Sequence, residues 1–177
     1  MVEGRRETVR MELTLRELGS GDEAALQTLL ESDPDYTVRV TGYPPGPSDA
    51  LSLLMMRPES VPESHKVVLG VFDGADLVAV VDLLRGYPGS EFVFIGLLLV
   101  QRSRQGQGVG AQAMAAVERY VGQWPEARRF RLAVVDTNAP VLGFWLRMGF
   151  EPTGETRPYR YDLLESTTRL YERDLRP

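Results

Sequence analysis

Three glycines at every second position stand just before a stretch of helix-forming residues in the segment RQGQGVGAQAM. They are Gly106, Gly108 and Gly110. The first turn of a helix leaves backbone N–H groups without partners, and the helix dipole adds partial positive charge there. Because glycine lets the backbone approach a bulky anion, this spacing predicts a cradle for a phosphate or diphosphate. Arg102 and Arg104 lie just upstream and would add positive charge.

Other interpretations of the glycine segment stay open. Glycines also serve tight turns between a strand and a helix, with no ligand at all. A P-loop is excluded because no Gly-Lys-Ser/Thr follows. The string GQGVGA satisfies G-x-G-x-x-A, a dinucleotide fingerprint, and Asp136 ends the next predicted strand. That motif normally opens a repeated strand–helix series, however, whereas here a long loop and several strands precede it.

Asp82 is the most suggestive titratable residue because it interrupts the apolar string VAVVDLL. A lone charge in an apolar strand needs a partner or a function, although a solvated edge position accounts for it equally well. His65, the only histidine, stands among polar residues in PESHKV and is typical of a surface loop. With no cysteine either, the sequence offers no thiolate nucleophile, disulfide or multi-histidine metal site, and we expect no metal.

The elements that position these residues follow from the spacing of apolar side chains. TVRMELTLREL alternates as a first strand, with Val9 and Met11 on its apolar face, and EAALQTLLES follows as a helix. DPDYTVRVTGYPPGPSD is rich in Pro and Gly and is predicted to be a long loop. ALSLLMMRP then forms a short helix that ends at Pro58.

Strand signals dominate from Lys66 onward. KVVLGVFD, DLVAVVDLLR and EFVFIGLLLV are joined by short turns, so they form an antiparallel meander. After the glycine segment and the helix GAQAMAAVERYVG, the strand RFRLAVVD lies parallel to the strand before that helix. Asn138 and Pro140 open a short helix, APVLGFWLRM, which Gly149 ends. FEPTGETRPYRYDL and TRLYERDL close the chain as strands, and the fold class is α/β with a mixed sheet.

Length and charge narrow the functional class. The chain has 177 residues, which predicts a single domain over 1–177, and 43% of them are apolar, enough for a core. The net charge of −5 argues weakly against a nucleic-acid partner, since phosphate recognition normally needs a basic surface. The longest apolar run, FVFIGLLLV, falls far short of the roughly 20 residues of a membrane span, and MVEGRRETVR has no apolar segment behind its arginines. We expect a cytoplasmic protein that binds neither nucleic acid nor membrane.

The string VQRSRQGQGVG resembles the signature of the GNAT superfamily of N-acetyltransferases, which reads Gln or Arg, two residues, Gly, one residue, and Gly or Ala. Gln105, Gly108 and Gly110 fill it here, and Val100 supplies the apolar residue that is usual five places before. NAPVLGFWLRMGF is similar to the family's second signature, an Asn followed by a short helix that ends in Gly-Phe. The resemblance implies a mixed, mostly antiparallel sheet of about seven strands with a V-shaped split between strands 4 and 5, flanked by about four helices.

This resemblance also implies that acetyl-CoA is the cosubstrate. Main-chain N–H groups of the glycine segment would bind its diphosphate, and the strand before the segment would pair with its pantetheine arm in the split. Gly96 would mark a bulge that re-aims this strand, or serve only for packing. Asn138 would contact the coenzyme arm, cap the following helix, or do both. The residues expected to hold the coenzyme are Leu98, Leu99, Val100, Gln105, Gly106, Gln107, Gly108, Val109, Gly110, Asn138 and Trp145.

The activity that the resemblance implies is that of an acyl-CoA-dependent N-acyltransferase, in which an amine attacks acetyl-CoA directly in a ternary complex. Some family members carry a Glu base at the position of Phe94, so Asp82 is the more suggestive carboxylate here. A Tyr usually stands at the position of Trp145, whose indole is a poor proton donor and is predicted to pack against the coenzyme or the core. Tyr159 is the candidate acid, with other tyrosines or water as alternatives.

The acceptor is expected to be a primary amine of a small molecule or a peptide. In the family, the segment after the first helix often lines its pocket, and Tyr36, Tyr43 and Met55 would form an apolar or aromatic wall here. Two alternatives remain: a coenzyme A-binding module with little catalysis, which Trp145 favours, and a nucleotide-binding protein that uses the glycine loop. Dimers are common in the family, and the closing strands would be the contact surfaces of a homodimer.

Overall fold

The computed structural model describes residues 12–175, so Val9 and Met11 of the predicted first strand lie outside the described part. Seven strands form one sheet. Their bounds are β1 Leu13–Glu17, β2 Lys66–Asp73, β3 Asp76–Arg85, β4 Phe92–Val100, β5 Arg129–Val135, β6 Glu151–Tyr161 and β7 Leu164–Asp174. Their spatial order is β1-β2-β3-β4-β5-β7-β6. β4 and β5 run parallel and the other neighbouring pairs run antiparallel, which confirms the mixed, mostly antiparallel sheet.

The described residues also form five α-helices, one more than the sequence predicts. Their bounds are α1 Glu23–Glu31, α2 Pro34–Thr41, α3 Asp49–Met55, α4 Val109–Val121 and α5 Leu142–Arg147. The additional helix is α2, which lies inside DPDYTVRVTGYPPGPSD, so the expectation of one long loop is wrong there. Pro34 stands in the first helical turn, where its missing N–H has no partner to lose, and Gly42 ends the helix at a φ of +83°. Pro and Gly therefore mark the two ends of a helix rather than a loop.

Both faces of the sheet are covered, which explains the continuous apolar runs of β2 and β3. On one face, alternate residues of β2, β3 and β4 pack against α4 and α5. That cluster includes Leu69, Val81, Val93, Met114, Val117, Phe130, Trp145 and Phe150. The opposite face carries α1 and α3, and its cluster includes Leu26, Leu29, Ala50, Val68, Val80 and Leu97. Asp82 follows Val80 by two positions on β3, so its side chain belongs to this second face.

The sheet opens between β4 and β5. Their parallel pairing covers only Phe92 to Ile95 of β4, although β4 itself continues to Val100 and β5 continues to Val135. On its other side, β4 stays paired with β3 up to Val100. This divergence is the V-shaped split expected between strands 4 and 5.

Gly96 lies where β4 begins to leave β5. Leu97 is opposite Asp82 and Ile95 is opposite Leu83, which leaves Gly96 as the extra residue of a β-bulge. The bulge expected at Gly96 is therefore confirmed. A bulge bends the strand that carries it, so this glycine lies at the root of the split.

Candidate active site

The glycine loop joins the end of β4 to the start of α4. After Val100 the chain makes a short 3₁₀ turn, Arg102–Arg104, and then passes through Gly106 and Gly108 at φ angles of +74° and +82°. A Cβ at either glycine would meet no described atom within 4 Å. The positive φ, and not crowding, is thus what requires glycine here, and the space in front of the loop is open.

Gly110 serves a different purpose from the other two glycines. It lies in the first turn of α4, and a Cβ there would come within 3.1 Å of the Phe144 ring. Its lack of a side chain lets α4 and α5 pack closely. The glycine spacing thus combines two positive-φ positions with one close helix contact. The first-turn N–H groups of α4 have no intrahelical partners, as at the start of any helix.

The arginines upstream of the loop are already paired with carboxylates. Arg102 Nη1 donates to Asp33 Oδ1 at 2.9 Å and to Asp35 Oδ2 at 3.2 Å, and Arg104 forms an ion pair with Asp73 at 3.0 Å. Gln105 Nε2 also donates to Asp33 Oδ2, at 2.7 Å. These carboxylates offset the positive charge that the sequence assigns to the loop, so its affinity for an anion would come mainly from main-chain N–H groups and the helix dipole.

The residues expected along the coenzyme arm lie on the open part of β4. Leu98, Leu99 and Val100 pair with β3, and none of them has a ladder partner in β5. The backbone groups that point into the split therefore resemble those of an edge strand, which are free to pair with an extended ligand. The glycine loop lies at the end of this free edge.

Asp82 is buried in the middle of the sheet, so the alternative of a solvated edge position is wrong. The residue is 8% exposed, and its Oδ1 accepts a hydrogen bond from Lys66 Nζ at 2.6 Å. The other oxygen, Oδ2, lies 2.6 Å from the position that a Cβ on Gly96 would occupy. Because Gly96 has no side chain, one carboxylate oxygen reaches the bulge at the root of the split. Burial raises the pKa of the Asp82 carboxyl, and the Lys66 ammonium limits that rise.

A cavity of about 300 Å³ lies on the α1–α3 side of the sheet and reaches Asp82. Its lining residues are Leu30, Tyr36, Thr37, Val40, Thr41, Asp49, Ser52, Leu53, Met56, Lys66, Asp82, Gly96 and Leu97. Most of the walls are apolar, and the charged lining groups are two carboxylates and one ammonium. Since Gly96 and Leu97 belong to both the cavity wall and β4, the cavity and the split meet at Asp82.

The structure brings one of the three predicted acceptor-wall residues into this cavity. Tyr36 lines it, and burial raises the pKa of the Tyr36 phenol to about 12, so the phenol stays protonated at neutral pH. Met55 is 62% exposed and is not among the lining residues, whereas the next residue, Met56, is. Tyr43 lies outside the lining and donates from its hydroxyl to Asp162 Oδ2 at 2.5 Å.

Tyr159 lies against the outer wall of the same cavity. Its hydroxyl donates to the main-chain carbonyl of Val40 on α2, and burial raises the pKa of the phenol. No hydrogen bond joins it to Asp82 among the described residues. His65 lies apart from the cavity, half-buried, with Nδ1 3.1 Å from the carbonyl oxygen of Arg85.

A sequence comparison separates the interpretations of the glycine loop. The sequence model of the acetyltransferase (GNAT) family matches residues 26–150, which is more than half of the chain. This chain belongs to the GNAT family. As a GNAT acetyltransferase it is an acyltransferase. The family match therefore favours this interpretation of the glycine loop over the dinucleotide fingerprint GQGVGA.

Solved structures show the GNAT fold at low sequence identity. An acetyltransferase from Thermus thermophilus has a TM-score of 0.68 at 24% identity, over 92% of this chain and 97% of that one. An N-acetyltransferase from Staphylococcus aureus has a TM-score of 0.68 at 15% identity, over 93% and 99%. The ribosomal-protein-S18-alanine N-acetyltransferase from Escherichia coli has a TM-score of 0.66 at 13% identity, over 92% and 94%. No curated protein matches the chain.

This GNAT member departs from the family pattern at Trp145. The residue is 7% exposed, and its ring packs edge-on against Phe144 and Phe150 at centroid distances of 5.0 and 5.2 Å. The structure thus places the indole in the hydrophobic core, which is one of the two environments expected for it, and contact with the coenzyme stays a prediction. At the usual position of a Glu base, Phe94 packs against Tyr87 instead.

Asn138 lies just beyond the end of β5, across the split from the glycine loop. A 3₁₀ segment, Asp136–Val141, precedes α5 here, and the expectation that Asn138 caps the helix is wrong because Asn138 lies inside that segment while Val135 and Val141 occupy the two N-cap positions. Its Oδ1 instead accepts from Arg39 Nε at 2.8 Å, which ties α2 to this side of the split. Contact between Asn138 and the coenzyme arm stays a prediction.

Sequence reasoning missed Lys66 and Asp33, two partners of the predicted site. Lys66 pairs with Asp82, and the predicted β2–β3 hairpin already places these residues on adjacent strands, so its register was an available signal. Asp33 pairs with Gln105 across 72 residues, and nothing in the local sequence indicates this contact. Residues 12–175 contain no group of three or more potential metal ligands, and none of their helices has the length and apolar character to cross a membrane.

Proposed function

We propose that this acyltransferase transfers the acetyl group of acetyl-CoA to a primary amine that enters the cavity beside Asp82. The observation that carries the proposal is the meeting of cavity and split at Gly96. There a buried carboxylate oxygen from β3 reaches the free edge of β4, which leads on to the open glycine loop. A donor and an acceptor that approach from the two sides would therefore meet beside Asp82 Oδ2.

The residues of the loop and the split fit coenzyme A. Gly106 and Gly108 leave open space in front of the first turn of α4, which is a favourable place for a diphosphate. The free edge of β4 from Gly96 to Val100 offers main-chain groups to the amides of a pantetheine arm. When bound, acetyl-CoA would supply an activated carbonyl carbon. Asp82 would take one proton from the substrate ammonium, and the neutral nitrogen would then bond to the carbonyl carbon as the C–S bond breaks. A second proton would pass from the nitrogen through water to the departing sulfur, so the products are the amide, the free thiol and one proton that Asp82 returns to solvent.

Asp82 suits the role of proton acceptor. Its Oδ1 is held by Lys66, and its Oδ2 lies against Gly96, where β4 leaves β5. A base works best when its pKa is close to the working pH, and burial moves the pKa of Asp82 in that direction. The Lys66 ammonium opposes this rise in the pKa of Asp82 and so favours the ionised carboxylate, the form that can accept a proton.

The cavity favours an amine with a compact apolar body. Leu30, Val40, Leu53 and Leu97 form apolar walls, and a volume of about 300 Å³ is in the range of small-ligand sites. Asp49 adds a second carboxylate, which gives the lining a net negative charge that attracts an ammonium group. Small monoamines, or the amino terminus of a peptide, fit this description.

One observation favours a second function, that of a coenzyme A-binding module with little catalysis. The position at which the family usually has a tyrosine holds Trp145 in the core, and the hydroxyl of Tyr159 is bound to Val40. Neither position 145 nor Tyr159 therefore offers a free phenol hydroxyl beside the split. Because a thiolate is a tolerable leaving group, we favour the enzyme.

Two assays test the proposal. Calorimetry with coenzyme A, ATP and NAD should show binding of coenzyme A alone, and a screen of primary amines should release free thiol from acetyl-CoA. Binding of coenzyme A without thiol release from any amine would support the module instead. Binding of ATP or NAD in place of coenzyme A would exclude both functions.

A further inference from the structure

A buried carboxylate lies against the first residue of the glycine loop, where negative charge is unfavourable for binding an anion. Asp33 is 5% exposed, and its two oxygens accept from Gln105 Nε2 and Arg102 Nη1 at 2.7 and 2.9 Å. A loop that needed only positive charge would leave Arg102 unpaired, with no carboxylate beside it. The charge of Asp33 therefore does not explain its place here, whereas its hydrogen bonds, which hold the start of the loop in position, do.

Gln105 is held at two points by its side-chain amide. One hydrogen bond goes to Asp33 and the other goes to the main-chain carbonyl of Val100 at 3.0 Å. The amide therefore joins the end of β4 to the segment between α1 and α2. Gly106 follows directly at positive φ, so the anchored Gln105 sets the direction in which the loop leaves the strand.

The side chain of Asp33 is not needed for the adjacent helix. Asp33 occupies the N-cap position of α2, yet its side chain makes no capping hydrogen bond. The contact that opens the helix is between backbone groups, from Tyr36 N to the carbonyl of Asp33 at 3.2 Å. Replacement of the carboxylate should therefore leave the start of α2 in place and change only the contacts with the loop.

We propose that Asp33 is a positioning residue for the coenzyme: by anchoring Gln105 it aims the main-chain N–H groups of the glycine loop at the diphosphate. The inference rests on the proposed function, since it assumes that coenzyme A binds this loop. Asp35 supplies a matched control, because it also pairs with Arg102 but makes no contact with Gln105.

The first test compares Asp33→Asn with Asp35→Asn by calorimetry with coenzyme A. Both variants remove one negative charge near a bound anion, so an account based on charge alone predicts tighter binding in both. In Asp33→Asn the new NH₂ group faces a donor, and we expect coenzyme A to bind about tenfold more weakly, the effect of losing one buried hydrogen bond. Asp35→Asn should bind at least as tightly as the wild type. Equal or tighter binding by Asp33→Asn would overturn the inference.

A double-mutant cycle with Gln105→Leu tests whether Asp33 acts through Gln105. Adding Asp33→Asn to Gln105→Leu should weaken binding less than about twofold further, since the shared contact is already gone. Independent, additive losses of affinity would contradict the inference.

Asp33→Glu keeps the charge but displaces the oxygens, so it should also bind coenzyme A more weakly. This variant replaces Asp33→Asn in the test if Asp33→Asn does not fold. If the wild type itself does not bind coenzyme A, the proposed function fails. If the wild type binds coenzyme A and the Asp33 variants bind it equally tightly, only this inference is overturned.

Discussion

The glycine loop and the acceptor cavity are built from different parts of the chain. The loop uses main-chain groups of one continuous segment, and its glycines stand at positive φ or in a close helix contact. The cavity instead uses side chains from three helices and three strands, with Asp82 and Lys66 at its inner end. A main-chain site leaves a local signature in the sequence, whereas a side-chain site depends on the register and packing of distant elements.

The largest expected effect concerns the cavity. Asp82→Asn removes the proton acceptor, so kcat/KM should fall at least about 100-fold, the usual contribution of a general base. The dissociation constant of coenzyme A should stay within about twofold, because the loop is untouched. Asp49→Asn is the control among the lining carboxylates: it should raise the KM of the amine and keep most of kcat. Equal losses of kcat/KM in Asp82→Asn and Asp49→Asn would show that the reaction requires the negative charge of the cavity and not a specific base.

The next effect concerns the loop. Gly108→Ala places a side chain at a φ of +82°, a conformation that is about 1–2 kcal/mol unfavourable for alanine, and the loop should turn to relieve it. Calorimetry should then show coenzyme A bound about tenfold more weakly. Gly74→Ala is matched in strain, since Gly74 has a φ of +62° in the β2–β3 turn and open space around it. That control should lose similar stability and bind coenzyme A normally.

A smaller effect concerns the Lys66–Asp82 pair. Asp82 must be ionised to accept a proton, so the rate falls as the pH drops through its pKa. Lys66 lowers this pKa, and Lys66→Met should move the acid limb of kcat/KM upward by about one pH unit or more. Lys66→Arg keeps the charge and should leave the limb near its wild-type position. An acid limb that does not move in Lys66→Met would show that Asp82 is not the group whose ionisation limits kcat/KM.

The smallest effect is expected at Trp145. Trp145→Tyr restores the family's usual residue, but the side chain lies in the core among Phe144 and Phe150. The change should lower the free energy of unfolding by about 1–2 kcal/mol, as a smaller core residue does, and leave kcat within about twofold. Thermal unfolding and steady-state kinetics check this. A clear gain in kcat would place residue 145 beside the reacting groups.

The sequence predicts the fold better than it predicts the site, for physical reasons. Strand periodicity is local, so the order of the strands follows from it. The glycine signature is local too, and the split follows from the family resemblance that this signature carries, while the isolated glycine in β4 leaves a bulge and a packing role both open at Gly96. α2 was missed because Pro34 and Gly42 are equally compatible with a loop and with helix ends. The sequence predicts Met55 in the wall, but α3 ends at Met55 and the chain becomes extended at Met56, so Met56 is the methionine that lines the cavity. The contact between Asp33 and Gln105 has no local signal because the two residues meet only after folding.

A crystal structure of the complex with acetyl-CoA tests the central claim most directly. The account predicts the diphosphate on main-chain N–H groups between Gln105 and Gly110, the pantetheine arm along the free edge of β4, and the thioester beside Gly96, within reach of Asp82 Oδ2. A coenzyme bound elsewhere, or a thioester separated from Asp82 by the wall of the cavity, would contradict it.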